Sequence, residues 1–90
     1  MTHGRVEVFN DDEHNHGAVI ARFTCGKAST ERDPRFVAFT KMVCAHLYET
    51  EGNYGQLSRT QEEEILEAKT SLEQTLKDSI ELTDVEYIEL

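Results

Sequence analysis

Two alternating segments joined by a short polar connection constrain the fold of this chain most strongly. Residues 5–9 alternate apolar and polar side chains and predict a β-strand with Val6 and Val8 on one face. Residues 18–25 predict a second strand. Its expected shared face is formed by Val19, Ala21, Phe23 and Cys25. Because the eight residues 10–17 are too few for a parallel crossover, the pattern predicts an antiparallel hairpin.

A buried middle helix is predicted over 34–50. Asp33 can accept hydrogen bonds from the first free N–H groups, and Pro34 has no N–H to leave unpaired at the first helical position. The apolar stripe of this helix is wide, which is typical of a core helix. Gly52-Asn53 predicts its end, and residues 26–32 before it are expected to form a loop.

A second, long helix is predicted over 58–82. Ser58 with Gln61 and Thr60 with Glu63 are overlapping capping-box candidates, and the apolar positions form one narrow seam. The seam consists of Ile65, Leu72, Leu76 and Ile80. Residues 85–90 suggest a short closing strand. The prediction is therefore a single α+β domain over 1–90, in which an N-terminal antiparallel β-hairpin packs on two helices.

Size and cysteine content limit the class of protein. The chain has 90 residues, no apolar run of the length that spans a bilayer, and no apolar stretch after a basic start. Cys25 and Cys44 are its two cysteines, which is fewer than small secreted domains use. We therefore expect a cytoplasmic protein, which would lie in the host cytoplasm if it is viral. We also expect both cysteines to be free, and a Cys25–Cys44 disulfide is the less favoured alternative.

Charge is distributed unevenly along the chain. The formal net charge is −9; residues 1–48 hold six acids and six bases, whereas residues 49–90 hold twelve acids and three bases. Direct nucleic-acid binding needs clustered lysines and arginines, so this balance argues against it and against an anionic membrane surface. A basic protein partner remains compatible, because opposite charge accelerates association.

Two groups of residues could form a metal site or a catalytic site, and for both we favour an interpretation without such a function. One is a histidine and acid cluster, consisting of His3, Asp11, Asp12, Glu13, His14 and His16. It lacks the thiolate pairs of structural zinc sites, so a solvated hairpin loop is favoured. The other is Cys44 with His46, whose side chains diverge on a helix at a spacing of two. We therefore expect no enzyme, no metal and no cofactor.

Arg32 and Arg35 flank the start of the predicted helix 34–50 and could hold an anion there. The alternative is that they neutralise the acidic second half of the same chain. We favour that alternative, because opposite charges lie close together in so small a domain.

The acidic side of the last helix carries the leading functional hypothesis. Its expected partner-binding residues are Glu62, Glu63, Glu67, Glu73, Asp78 and Glu81. They predict a small acidic protein-binding module, an inhibitor or adaptor of a basic or nucleic-acid-handling protein. A viral or mobile-element accessory protein that mimics nucleic acid would have this size and charge.

Self-association is the alternative from another class. The seam of Ile65, Leu72, Leu76 and Ile80 could pair with its copy in a homodimer or larger structural assembly. Such an oligomer could also bind a small anion at Arg32 or Arg35.

Overall fold

The computed structural model describes residues 3–10 and 17–89 as three strands and three α-helices. Their bounds in chain order are β1 His3–Phe9, β2 Gly17–Cys25, α1 Ala28–Arg32, α2 Pro34–Glu49, α3 Arg59–Leu76 and β3 Ile80–Glu89. A 3-10 turn, Tyr54–Gln56, lies between α2 and α3. None of the described helices combines the length and the apolar character needed to cross a membrane.

The three strands form one antiparallel sheet in the order β1-β2-β3. Strand β1 pairs with β2 from His3 opposite Cys25 to Phe9 opposite Val19, which confirms the predicted hairpin. Strand β3 pairs with the other side of β2, so β2 is central. The α+β class and the C-terminal strand are therefore confirmed, although β3 is longer than the predicted segment 85–90.

The predicted helix 58–82 is wrong beyond Leu76. Lys77 adopts the left-handed conformation, with φ 52° and ψ 48°, which ends α3, and β3 begins at Ile80. Ile80 follows Leu76 at helical spacing, but it also alternates with Leu82 at strand spacing, so the sequence pattern fits both. Pairing of Ile80 with Cys25 of β2 settles the choice in favour of the strand.

The predicted helix starts are confirmed by their hydrogen bonds. The Asp33 carboxylate accepts from the Arg35 N–H at 2.9 Å at the start of α2. Ser58 and Gln61 form the full capping box of α3. The prediction of a loop over 26–32 is wrong from Ala28 onward, because these residues form the short helix α1, in which Thr30 is buried.

The end of α2 also agrees with the sequence, within one residue. Gly52 has φ 81°, and its N–H donates to the Leu47 carbonyl at 2.8 Å. A side chain added at Gly52 would meet the Tyr87 Cβ at 3.0 Å, so glycine is required there by both conformation and space.

Helix α2 packs over β1 and β2 and makes the core with them. The predicted inner face of β2 is confirmed: Val19, Ala21, Phe23 and Cys25 are all buried. Val6 and Val8 share a face of β1 as predicted, but that face points to solvent and leaves them 54% and 56% exposed.

Glu7 occupies the inner side of β1 in their place. Its carboxylate accepts from the Thr40 hydroxyl of α2 at 3.3 Å and pairs with the Arg5 Nε at 2.6 Å. A buried carboxylate is tolerated where such partners satisfy it. Strand β1 therefore presents Glu7 to the helix on the same side as Phe9, which packs against the core.

Replacing Lys77 by glycine should stabilise the protein. A left-handed backbone strains an L-residue but not glycine, and the expected gain in the free energy of unfolding is about 0.5 kcal/mol. Urea denaturation measures it. Lys77→Ala, which removes the same charge but keeps Cβ, should give no gain. Glycine would instead cost about 1 kcal/mol if α3 continued through this position, and that result would refute the helix end.

Candidate functional site

Three of the six predicted partner-binding acids share the exposed N-terminal half of α3. They are Glu62, Glu63 and Glu67. Glu63 forms an i,i+4 pair with Arg59 at 3.1 Å, on side chains that remain 59% and 92% exposed. Glu62 and Glu67 make no ion pair or side-chain hydrogen bond within the described residues. These carboxylates are therefore free to meet a partner, since exposed pairs such as Arg59–Glu63 are weak.

Glu73 makes contacts within the molecule, and its partner-binding role stays a prediction. One of its carboxylate oxygens accepts from the backbone N–H of Ile80 at 2.9 Å and lies 3.5 Å from the Lys69 Nζ. The side chain is 25% exposed. It thus fastens the start of β3 to α3 through one oxygen of the carboxylate.

Asp78 is also engaged within the molecule. Its carboxylate accepts from the backbone N–H groups of Gly26, Lys27 and Ser79 at 2.8–3.1 Å. Burial works to raise the pKa of Asp78, but the neighbouring Thr30 hydroxyl and these N–H groups outweigh it and hold the pKa below its usual value. The predicted partner-binding role of Asp78 is therefore not supported by its geometry.

Glu81 lies on β3, not on a helix, because α3 ends at Leu76. It is exposed and stands opposite Thr24 on the sheet face that no helix covers. Asp84 and Glu86 follow it on that face, opposite Arg22 and Ile20. The six predicted acids thus divide among α3, the reversal after it, and β3.

Most of the acidic surplus nonetheless points outward. Ten of the twelve acids in residues 49–90 are exposed. They are Glu49, Glu51, Glu62, Glu63, Glu64, Glu67, Glu81, Asp84, Glu86 and Glu89. Within the described residues, no lysine or arginine of residues 1–48 forms an ion pair with any of them. The favoured internal neutralisation therefore does not take the form of ion pairs among the described residues.

Arg35 is occupied by a local acid. Its guanidinium donates two hydrogen bonds to the Asp33 carboxylate, at 3.0 and 2.9 Å. The side-chain and then the backbone hydrogen bonds from Arg35 lower the pKa of Asp33 to about 2. Arg35 therefore serves the start of α2, and a free anion would have to displace Asp33.

An apolar cleft lies between α3 and β3. Its volume is about 520 Å³. The floor is made by core side chains of four elements, namely Phe23, Phe39, Val43, Ile65 and Ile80. Leu66 and Lys69 of α3 form one wall, and residues 82–85 of β3 form the other. The cleft exists because α2 covers β1 and β2, while neither long helix packs closely along β3.

Acidic and polar groups surround this apolar cleft. Asp84 lies on the β3 wall, and Tyr54 closes one end. Burial first, and then the negative charge of Glu62, raise the pKa of Tyr54, so its hydroxyl remains protonated at neutral pH. Lys69, the cleft's basic residue, is paired with Glu73. The lining thus contains one acidic and one basic residue around an apolar floor.

The predicted oligomer seam lies largely inside the core. Ile65, Leu72 and Ile80 are 4%, 8% and 0% exposed, and Leu76 packs against the same core. Ile80 moreover belongs to β3 and not to the helix. Self-association through this seam would therefore require the core to open.

Neither thiol has the surroundings of a nucleophile. Cys25 and Cys44 are free and fully buried. Burial, followed by the charge of Glu7, raises the pKa of the Cys44 thiol to about 12. His46 contacts Gln61 and Glu64. The described residues thus contain no Cys44–His46 pair.

The predicted metal candidates fall mostly outside the described residues. These are Asp11, Asp12, Glu13, His14 and His16. His3 is described, and its Nδ1 lies 3.7 Å from the Glu31 carboxylate. Across residues 3–10 and 17–89, no group of three or more potential metal ligands comes together.

No family model and no curated protein matches this chain. Sequence reasoning missed the cleft, because the chain reversal that sets β3 beside α3 was not predicted and the floor also uses side chains of the distant elements β2 and α2. The sequence did contain one signal of the cleft. Leu66 is an apolar residue on the otherwise polar side of α3, next to the core residue Ile65, and it is 49% exposed. An unburied leucine beside a core position can mark a binding groove.

Both thiols should resist modification in the folded protein. Their burial and raised pKa values keep thiolate scarce at about pH 8, so the reaction with a thiol reagent should be at least roughly 100-fold slower than in denaturant. Thiol titration with and without guanidinium measures this. Rapid labelling of folded protein, or fewer than two thiols after denaturation, would contradict the buried free cysteines.

Glu73 and Glu67 should differ in their effect on stability. Glu73→Ala removes the acceptor of the Ile80 N–H and should lower the free energy of unfolding by about 1 kcal/mol or more. Glu67→Ala should change it by less than about 0.5 kcal/mol, as expected for an exposed side chain. Urea denaturation compares the two. Equal changes in the free energy of unfolding would show that the Glu73 carboxylate does not stabilise the start of β3.

Proposed function

We propose that this protein is an acidic protein-binding module that engages a basic partner through the surface formed by α3 and β3. One observation carries the proposal. The acidic surplus of the second half is exposed and forms no ion pair with the lysines and arginines of the first half within the described residues. Such a surface steers a basic partner toward it and repels acidic ones.

The acting carboxylates are Glu62, Glu63 and Glu67 on α3, together with Glu81, Asp84 and Glu86 on β3. They lie on the two elements that wall the apolar cleft. This proposal retains Glu62, Glu63, Glu67 and Glu81 from the sequence and replaces Glu73 and Asp78. Charge supplies attraction, and the cleft supplies a surface that excludes water.

Within this function, we favour an inhibitor or adaptor of a nucleic-acid-handling protein. Proteins that bind nucleic acid carry the lysine and arginine patches that this acidic surface complements. A mimic of nucleic acid would compete directly with nucleic acid for that patch. The affinity of such a complex should fall as salt concentration rises, because exposed charges are screened.

Neutralising the α3 acids should weaken partner binding. The triple change Glu62→Gln, Glu63→Gln and Glu67→Gln should lower the affinity roughly tenfold or more, because it removes three attractive charges at the interface. A partner is first captured from an extract of the source organism at low and high salt and identified by mass spectrometry. Its affinity for purified wild type and variant is then measured calorimetrically.

A pair of double variants controls for net charge. Glu49→Gln with Glu51→Gln removes two exposed charges outside α3 and β3, and Glu62→Gln with Glu67→Gln removes the same charge from α3. The affinity of the first variant should stay within about threefold of wild type. Equal losses for both variants would show nonspecific charge attraction, and an unchanged α3 variant would exclude α3 from the interface. Either result would overturn the proposal.

A further inference from the structure

Strand β3 has an unpaired backbone edge beyond its first residue, Ile80, whose N–H donates to the Glu73 carboxylate. The strand is ten residues long, ends the sheet, and pairs with β2 on one side. On the other side, the described residues provide no strand. About half of the N–H and C=O groups of an edge strand point away from its neighbour, so they can pair with an added strand.

The apolar cleft lies beside this edge. Its volume of about 520 Å³ is in the range of ligand-binding pockets. Alternate side chains of a strand point to opposite faces of a sheet. Every second side chain of a strand added to β3 would therefore point toward the cleft, and the others would point toward the helix-free face.

A β-bulge modifies β3 at the cleft. Leu82 pairs with Phe23, and Asp84 pairs with the preceding residue Arg22, so Thr83 has no opposite residue on β2. The Thr83 hydroxyl donates to the Arg22 carbonyl at 3.3 Å and holds the bulge. Bulges redirect side chains and are frequent next to binding sites. Here the bulge lies in the wall of the cleft.

Charge identifies the kind of strand that this edge accepts. On the helix-free face, β3 presents Glu81, Asp84 and Glu86. Side chains on the same face of a neighbouring strand lie next to such residues, and opposite charges there are favourable. On the cleft side, the floor is apolar. The edge thus matches a segment in which basic and apolar residues alternate.

We propose that β3 binds an extended peptide segment of the partner by strand addition, with an apolar side chain in the cleft and basic side chains beside Glu81, Asp84 and Glu86. The inference rests on the proposed function and specifies its binding mode. Backbone hydrogen bonds supply affinity in this mode, and the cleft supplies side-chain specificity. A small apolar ligand could fill the cleft, but it would leave the edge and the three carboxylates unpaired.

A defined peptide panel tests this mode without knowledge of the partner. Acetylated heptapeptides Lys-Val-Lys-X-Lys-Val-Lys, with Leu, Ile, Phe or Tyr at X, are titrated into the isotopically labelled protein. Amide NMR shifts should change along residues 82–87 of β3 and 65–69 of α3. At least one peptide should bind with a dissociation constant below about 1 mM, the range of weak specific contacts.

Two modified peptides separate the contributions to binding. Methylation of the backbone nitrogens that face β3 keeps every charge and side chain but removes the donors, and it should weaken binding roughly tenfold or more. Replacing X by Gln should weaken it similarly, because the cleft then receives a polar side chain. A peptide held by charge alone would bind unchanged in both cases.

A pair of protein variants tests the cleft itself. Leu66→Glu places a carboxylate at the cleft wall, and it should weaken binding roughly tenfold although the protein becomes more acidic. Val6→Glu adds the same charge at an exposed position on β1 and should leave the affinity within about twofold. Circular dichroism checks that both variants keep their helix content.

Several outcomes would overturn strand addition. In the titration, these are NMR shift changes confined to the helix-free face, or no binding of any peptide at about 1 mM. Among the variants, they are full-strength binding of the methylated or Gln peptides, or an unchanged peptide affinity of the Leu66→Glu protein. None of these outcomes contradicts the proposed function if the α3 triple variant still binds the captured partner more weakly than wild type does. Failure of that triple variant overturns the proposed function independently.

Discussion

The chain reversal between α3 and β3 is the constraint on which the rest of the structure depends. Lys77 takes a left-handed conformation, Glu73 accepts from the Ile80 N–H, and Asp78 accepts from backbone N–H groups at the end of β2. Two carboxylates thus hold β3 in place instead of adding to the surface charge. Because β3 pairs with the side of β2 away from β1, and no long helix packs closely along it, the cleft and the free edge both follow from this reversal.

The elements that were predicted correctly have local sequence signals. The hairpin follows from alternation and a short connection, and the helix starts follow from Asp33-Pro34 and Ser58 with Gln61. The end of α3 has no such signal, because Lys77 is not glycine or asparagine. Its stabilising contacts are also distant: Asp78 reaches Gly26, 52 positions away in the sequence. A short-range pattern cannot show such a contact.

The acidic surplus could be counted in the sequence, but its distribution could not. A continuous helix 58–82 would have placed Glu73, Asp78 and Glu81 together, whereas the reversal assigns them to different environments. Strand β1 shows the same limit. Its alternation predicts two faces without showing which is buried, and the Thr40 hydroxyl on α2 provides a partner for inward-facing Glu7. Tertiary partners decide what periodicity leaves open.

Charge and the cleft would contribute differently to recognition. Exposed carboxylates act at long range and are screened by salt, so they increase the association rate for any basic protein. In the proposed mode, the cleft and the backbone edge would act only at contact, and they would require an extended segment of suitable side-chain pattern. Since α3 and β3 carry both the exposed acids and the cleft walls, attraction and discrimination would act on the same bound segment. A polycation without apolar side chains would be attracted but would not be held in the cleft.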